Sequence, residues 1–218
     1  MSAMSAINAI KIMLVDDHAV VRAGVRRLLE QDARFYVVAE CDSGERAYQL
    51  FGEVNPDITI MDLSMPGMGG IEAIGRILTR YPQVKLLVLS MHENVAFASQ
   101  AIKVGAMGYV TKTGLAEELL IALERIAQGL TYMNANLAQK IAQQSINNGA
   151  RLLEQLSARE FEIFRLLAEG QDALNIGKLL NISAKTAANY QTNIKQKLGI
   201  NNSVELVRLA IRCGLIDT

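Results

Sequence analysis

The first 128 residues alternate five short apolar runs with longer segments of helical period. The runs are IKIMLV, FYVVAE, DITIMD, VKLLVLS and MGYVTK. Strands that alternate with helices form a parallel sheet with helices on both of its faces. Runs such as KLLVL, which are apolar at every position after the lysine, are typical of central strands. The pattern therefore predicts an α/β fold with a doubly wound, five-stranded parallel sheet.

Polar side chains follow these apolar runs at their carboxyl ends. Ligands of open α/β sheets bind in the crevice at the carboxyl ends of the strands. Three carboxylates gathered at one edge of a sheet repel each other unless a cation holds them together. The pattern predicts a site for Mg²⁺ and phosphoryl chemistry. Its members are Asp16, Asp17, Asp62, Ser90 and Lys112.

Asp62 is the candidate nucleophile of this site. It ends the run DITIMD, and the chain then turns through Pro66 and a group of glycines, which directs the carboxylate outward. Asp17, helped by Asp16 directly or through water, is the candidate Mg²⁺ ligand, and the backbone carbonyl of Ser64 is a further oxygen ligand. A bound cation would neutralise the phosphoryl oxygens and allow one anion to attack another.

Lys112 and Ser90 supply charge and a hydrogen bond to the phosphoryl group in this scheme. Each residue taken alone has an ordinary explanation, because an Asp pair can cap a helix, a lysine is usually solvated and a serine often lies in a turn. Their joint position at the ends of successive predicted strands favours a site.

The segment that follows the predicted sheet has a different composition. A helix over about 115–128 precedes GLTYMN, a short helix over 137–144 and the Ser/Asn/Gly-rich stretch SINNGA, which is the best linker candidate. We therefore divide the chain into residues 1–128, a linker with a short helix over 129–151, and residues 152–218.

The last 67 residues lack a strand pattern and contain four helical segments. Ser157 and Glu160 form a capping box for the first, Asp172 caps the second, Ser183 the third and Ser203 the fourth. Glycines follow at the predicted helix ends. The sequence predicts a small all-α region here.

Composition adds few constraints. Residues 1–130 carry 12 Lys and Arg against 15 Asp and Glu, and residues 131–218 carry 10 against 7, so the second part is mildly basic. Two distant cysteines and two histidines do not support a disulfide framework or a zinc site. No apolar run reaches the length of a membrane span, and the N-terminus lacks a basic leader, so we expect a soluble, cytoplasmic protein.

The segments VDDHAVVRAGVRRLLE, MDLSMPGMGG, LSMHE and GYVTK resemble the receiver domain of two-component response regulators. The resemblance implies a flavodoxin-like fold and phosphorylation of Asp62 by a sensor histidine kinase. It also implies that Asp16, Asp17 and Asp62 serve Mg²⁺ and that Lys112 contacts the phosphoryl group. Ser90 and Tyr109 would then be the switch pair that reshapes the surface near the fourth helix.

The segments LSAREFEIFRLLAEG and NIGKLLNISAKTAANYQTNIKQKLGI resemble the LuxR-type helix-turn-helix domain of the NarL/FixJ family. Thr113 follows Lys112 at a position where many receivers have proline. In this respect the chain resembles the receivers that are joined to such domains. Within that family the chain is most similar to the GacA/UvrY/LetA class. The resemblance implies that residues 184–198 form the recognition helix. Its candidate DNA contacts are Lys185, Thr186, Asn189, Thr192 and Lys195.

One departure from that class concerns the recognition helix. The class carries arginines after the recognition-helix tyrosine, whereas Tyr190 is followed here by Gln191, Thr192 and Asn193. Each lost cation removes a possible phosphate contact. The sequence therefore predicts DNA binding that is weaker, altered in specificity or dependent on dimerisation.

The leading interpretation is a phosphorylation-controlled transcription factor. The receiver would pack over the recognition helix, and phosphorylation would release it and favour a homodimer on promoter DNA. An alternative is a signalling protein whose helical region binds proteins instead of DNA. A phosphatase of the haloacid-dehalogenase type is disfavoured, because that chemistry needs a second Asp at the position of Ser64. We therefore expect no turnover of an external substrate, although the receiver would promote its own dephosphorylation.

Overall fold

The computed structural model describes residues 9–91, 93, 95–144 and 152–216, so SINNGA lies outside the described residues. Residues 9–144, which we call the sheet region, form a parallel sheet with the strand order β2-β1-β3-β4-β5-β6. The strands are β1 (Ile10–Val15), β2 (Phe35–Cys41), β3 (Ile58–Asp62), β4 (Lys85–Ser90), β5 (Gly108–Thr111) and β6 (Tyr132–Met133).

Helices cover both faces of this sheet. They are α1 (Ala19–Leu29), α2 (Gly44–Val54), α3 (Gly70–Arg80), α4 (Val95–Lys103), α5 (Leu115–Ala127) and α6 (Ala135–Gln144). Apolar side chains of α1 and α5 pack on one face, and those of α2, α3 and α4 pack on the other. The doubly wound α/β fold predicted from the alternating pattern is confirmed.

The sheet has six strands, so the predicted number of five was too low. The additional strand, β6, consists of two residues and pairs with β5, with the Tyr132 N–H donating to the Met107 carbonyl at 3.0 Å. Gly129 adopts a positive φ of 82° at the end of α5 and lets the chain turn back to the sheet edge. A two-residue strand is too short to give a period-2 signal in the sequence.

Residues 152–216, which we call the helical region, contain α7 (Ala158–Ala168), α8 (Ala173–Leu179), α9 (Ala184–Leu198) and α10 (Ser203–Arg212). The capping box of Ser157 and Glu160 is present, and Asp172 and Ser183 cap α8 and α9 as predicted. The cap of α10 is Asn202, one residue before the predicted Ser203, because the side-chain Oδ1 of Asn202 accepts from the Glu205 N–H at 2.9 Å.

The two regions share one apolar core, since buried side chains of α3 and α4 continue into those of α7. The Phe97 and Phe161 rings meet edge to face with centroids 5.4 Å apart. The side-chain amide of Gln100 donates to the Leu153 carbonyl at 2.6 Å. These contacts fix the helical region against the α3 and α4 side of the sheet.

Gly70 begins α3 and lies directly against the end of β3. A Cβ at this position would lie 1.9 Å from the Asp62 carbonyl oxygen, a distance that only a backbone shift can relieve. The absence of a side chain at Gly70 therefore allows the chain to reverse immediately after Asp62.

We expect Gly70→Ala to lower the free energy of unfolding by about 2 kcal/mol or more, because the clash is with backbone atoms. Gly24→Ala is the matched control, since a Cβ at Gly24 of α1 meets no atom within 4 Å. It should raise stability by about 0.5–1 kcal/mol through helix propensity. Urea unfolding of both variants measures the difference, and equal stabilities would contradict the close approach at Gly70.

Candidate functional site

The carboxyl ends of β1 and β3 bring three aspartates together. These strands are neighbours, with Val15 in register with Met61, so Asp16 and Asp62 emerge side by side. Ligand atoms of Asp16, Asp17, His18 and Asp62 all lie within 4.8 Å of one another. Asp62 is only 2% exposed. The structure thus places an acidic cluster where the sequence predicted one.

Lys112 follows β5 and reaches back across the end of β4 into this cluster. Its Nζ lies 2.6 Å from Asp16 Oδ2 and 3.0 Å from Asp62 Oδ2. All three side chains are nearly buried. One ammonium group therefore bridges two desolvated carboxylates.

Burial has opposite effects on the acid and the base of this cluster. It raises the pKa of Asp62 above the ordinary value of 3.8, and the charge of Lys112 offsets the rise only in part. Burial acts to lower the pKa of Lys112, but its hydrogen bonds and charge interactions with Asp16 and Asp62 outweigh this and raise the pKa. Lys112 is therefore held in its charged form while the Asp62 carboxylate is poorly solvated.

The Asp pair retains oxygen atoms suited to a cation. Asp16 Oδ2 and Asp17 Oδ1 are buried, and among the described residues they face Lys112 Nζ at 2.6 Å and His18 Nδ1 at 2.9 Å, respectively. Buried carboxylate oxygens in this state match the preference of Mg²⁺ for hard oxygen ligands. The residues present therefore fit a divalent cation.

Sequence reasoning did not identify His18 as part of this cluster. Its Nδ1 lies 2.9 Å from Asp17 Oδ1 and 3.2 Å from Asp16 Oδ1, and its side chain is 61% exposed. The available signal was its position immediately after the Asp pair. The Ser64 N–H points to Asp62 Oδ1 at 3.4 Å, so the start of the β3–α3 loop folds over the carboxylate.

Ser90 and Tyr109 lie beside the cluster, on β4 and β5. Both are fully buried, and their side chains are hydrogen-bonded to each other. Burial raises the pKa of the Tyr109 phenol, and the Ser90 hydrogen bond opposes the rise. The tyrosine ring thus already lies in the interior, in contact with the residue that ends β4.

The candidate DNA contacts of α9 divide into two groups. Lys185, Asn189 and Thr192 are exposed and recur at helical spacing, so they share one face, which Gln196 extends. Thr186 and Lys195 are half-buried and flank this face. The Thr186 hydroxyl is engaged with Ser183 Oγ at 2.8 Å, within the helix cap.

Among the described residues, the sheet region leaves this polar face exposed, in contrast to the expectation that it packs over the recognition helix. It contacts α7 and the end of α8 instead, next to the turn before α9 (residues 180–183), where the Gly67 N–H donates to the Leu179 carbonyl at 2.9 Å. The physical reason is that the apolar side chains available for packing, such as Phe161, lie on α7, whereas α9 presents polar groups outward.

Two family models match the chain. Residues 12–124 match the response regulator receiver domain. Residues 154–210 match the bacterial regulatory proteins of the luxR family. Both resemblances inferred from the sequence motifs are confirmed.

The curated relatives include three bacterial regulators that align over nearly the full chain. The transcriptional regulatory protein DegU of Brevibacillus brevis is 34% identical over 96% of this chain and 96% of its own length. The response regulator UvrY of Escherichia coli is 36% identical over 95% of this chain and 96% of its own. The response regulator GacA of Pseudomonas aeruginosa is 35% identical over 95% and 98%.

Solved structures give the same relationship. RcsB of Salmonella enterica serovar Typhimurium, bound to a promoter in the presence of a beryllofluoride phosphomimetic, is 31% identical over 93% of this chain and 98% of that chain, with a TM-score of 0.70. A LuxR-family response regulator of Aurantimonas is 44% identical and covers 64% of this chain, with a TM-score of 0.61. Within the described residues, no helix has the length and apolar character required to cross a bilayer.

We expect Asp62→Asn to stabilise the metal-free protein at neutral pH. The folded-state pKa of Asp62 is raised, so its contribution to stability is present below the unfolded pKa near 3.8 and is lost as the pH rises. The advantage of the neutral Asn side chain should therefore be largest at neutral pH and disappear in acid. Thermal unfolding across this pH range measures it.

Asp57→Asn is the matched control for this experiment. Asp57 is exposed and lies just before β3, at the end of the strand opposite to Asp62. Its side chain accepts a hydrogen bond from the Lys11 N–H at 2.8 Å. Because Asp57 lies away from the buried cluster, its replacement should not produce the stabilisation expected of Asp62→Asn. Mg²⁺ should then stabilise the wild type more than Asp62→Asn, and an equal effect on both would contradict a cation site at Asp62.

Proposed function

Because the chain belongs to the response regulators that join a receiver domain to a LuxR-type DNA-binding domain, we propose that Asp62 accepts a phosphoryl group and thereby controls transcription. The observation that carries this proposal is the buried Asp62 carboxylate within 3.0 Å of Lys112 and beside the Asp pair. In the proposed reaction an Asp62 oxygen forms a bond to phosphorus while the bond to the phosphohistidine nitrogen of a sensor kinase breaks.

The metal ligands proposed for Mg²⁺ are the carboxylates of Asp16, Asp17 and Asp62 and the backbone carbonyl of Ser64. A Mg²⁺ ion held by these groups would neutralise charge on the phosphoryl oxygens. Lys112 keeps its positive charge in the buried site and is proposed to bind a phosphoryl oxygen as it now binds Asp62. The same arrangement supports hydrolysis of the receiver's own phosphoaspartate, with no external substrate.

Ser90 and Tyr109 are the proposed switch pair. The Ser90 side chain is now hydrogen-bonded to Tyr109, and a phosphoryl group on Asp62 would compete for the Ser90 hydroxyl as a stronger acceptor. Loss of that bond changes the support of the buried Tyr109 ring beside α4. The charge added at Asp62 is thereby converted into a packing change.

The proposed output is binding of promoter DNA by α9, as a homodimer when phosphorylated. The exposed face of Lys185, Asn189 and Thr192 supports it, with Thr186 and Lys195 at its margins. We place the protein in the cytoplasm with a sensor histidine kinase as its partner. The division into a receiver (1–128), a linker (129–151) and a DNA-binding domain (152–218) is part of this proposal.

The second candidate function is protein binding by the helical region in place of DNA binding. The observation that favours it is the absence of arginine after Tyr190, where Gln191, Thr192 and Asn193 follow. A surface with few cations releases few counterions from DNA and gains little affinity from phosphates.

Acetyl phosphate with Mg²⁺ should add one phosphoryl group to the wild-type chain. Asp62→Asn should abolish the modification, because it removes the attacking carboxylate. The exposed Asp57→Asn, before the same strand, is the control and should react like the wild type. Intact mass and peptide mapping measure the product, and modification retained in Asp62→Asn refutes the assignment of Asp62.

Phosphorylation should increase the enrichment of genomic DNA fragments at low salt. Lys185→Ala should make the dependence of log Kd on log salt shallower by about 0.9 if Lys185 contacts one phosphate. Lys140→Ala, an exposed lysine of α6, is the control and should not change it. Enrichment in neither phosphorylation state would overturn the DNA-binding proposal and favour the second candidate.

A further inference from the structure

The loop that follows Asp62 contacts the helical region through the backbone N–H and the backbone carbonyl of a single glycine. Gly67, within loop residues 63–69, donates its N–H to the Leu179 carbonyl at 2.9 Å. Its carbonyl accepts from Arg159 Nη1 at 2.9 Å. Gly67 is buried and has a φ of +76°, a conformation that glycine adopts without strain. The β3–α3 loop is thus docked onto the helical region.

Arg159 is the centre of this docking. Its other terminal nitrogen, Nη2, donates to the Leu180 carbonyl at 2.6 Å, and Nη1 lies 3.3 Å from Glu72 Oε2 in α3. That Glu72 oxygen is buried without a hydrogen bond among the described residues, and Arg159 shares the compensation of the carboxylate charge with Arg76, which lies 2.6 Å from the other oxygen, Oε1. A planar guanidinium can serve these partners together, whereas a lysine ammonium is a compact point charge.

The docked loop is also the loop of the phosphoacceptor. Ser64, at its start, directs its N–H at Asp62, and Met65 and Met68 are buried in the core shared by the two regions. Most of the loop is buried although Pro66 is exposed, so we expect a shift at Ser64 to change the contacts of Gly67 three residues later. Gly67, which contacts the helical region, lies only five residues after Asp62, so the backbone gives a short connection from a modified Asp62 to the helical region.

The contact at the other end of this connection is the turn before α9. The Leu179 carbonyl accepts from Gly67 of the sheet region, and the next carbonyl, of Leu180, accepts from Arg159 of α7, so Arg159 joins Gly67 to this turn. The side chains of Asn181 and Glu45 both lie close to Gly67. The polar face of α9 remains exposed, and the docking acts on the turn that precedes this helix.

We propose that Arg159 is a positioning residue that couples Asp62 to the turn before α9 through Gly67, an inference that rests on the proposed function. This route is separate from the Ser90 and Tyr109 pair. Phosphorylation shifts the Ser64 end of the loop, weakens the two hydrogen bonds of Gly67 and frees the turn. By thermodynamic reciprocity, loss of the Arg159 contacts favours phosphorylation of Asp62.

Amide hydrogen exchange of the full chain tests the coupling at Gly67. Arg159→Ala should accelerate exchange of the loop peptide by about tenfold or more, because it removes hydrogen bonds to a charged donor. Arg159→Lys should give an intermediate rate. Wild type treated with acetyl phosphate and Mg²⁺ should show the same acceleration as untreated Arg159→Ala, and Asp62→Asn should show no response to the treatment.

Arg165→Ala is the matched control. Arg165 lies in the same helix and its side chain is 15% exposed, as is that of Arg159, but it pairs with Glu162 of α7 and with Glu169 just after α7, and among the described residues its own hydrogen bonds do not reach Gly67. Because Glu162 lies near Gly69 of the loop, Arg165→Ala should change exchange of the loop peptide only slightly, and much less than Arg159→Ala. A second measurement is the phosphorylated fraction at a fixed acetyl phosphate concentration, which should rise in Arg159→Ala and stay unchanged in Arg165→Ala.

The outcomes separate this inference from the proposed function. If Asp62 is phosphorylated but exchange at Gly67 does not change, the coupling is wrong and the phosphoacceptor assignment stands. Equal effects of Arg159→Ala and Arg165→Ala would also overturn the coupling, because they would indicate general loosening of α7. If acetyl phosphate does not modify Asp62, both the proposed function and the coupling fail.

Discussion

The interaction on which the rest of the structure depends is the contact of one ammonium group, Lys112, with the carboxylates of Asp16 and Asp62. Two buried carboxylates at adjacent strand ends repel each other, and a single buried cation makes their proximity tolerable. The parallel order of β1, β3, β4 and β5 is what brings all three to one edge. Because burial raises the pKa of Asp62 despite Lys112, the site retains an unfavourable charge energy that a cation can relieve.

The end of β3 determines two features at once. It places Asp62 in the cluster, and the tight reversal allowed by Gly70 places the β3–α3 loop at the surface where the helical region docks. In the functions we propose, a change at the carboxylate therefore has two physical paths outward. One passes through the Ser90 side chain to the Tyr109 ring, and the other passes along the backbone to Gly67. The first path acts through the packing of buried side chains. The second acts through the hydrogen bonds of Gly67, for which water competes when the two regions separate.

Local signals in the sequence predicted most of the fold and much of the site. The apolar runs fixed the strand ends at Asp62 and Ser90, and capping residues such as Ser183 fixed helix starts, because these effects act within a few residues. The two-residue strand β6 was not predicted, and the cap of α10 was predicted one residue late, at Ser203 instead of Asn202. The docking of Arg159 could not be predicted, since its partners Gly67 and Leu180 are distant in sequence and are backbone groups that carry no side-chain signal.

The exposure of α9 changes how control of DNA binding has to be understood. If the polar face were covered, its release alone could account for activation. Because Lys185, Asn189 and Thr192 are already exposed, control has to act on something else. Two physical terms remain, the docking of the turn before α9 through Gly67 and Arg159 and the joint placement of two helical regions on two half-sites. A recognition helix with few cations makes the second term large, since a weak single contact gains most from a partner held nearby. An arginine-poor helix and an uncovered helix are therefore consistent with each other, because weak intrinsic binding needs no cover to keep a monomer off DNA.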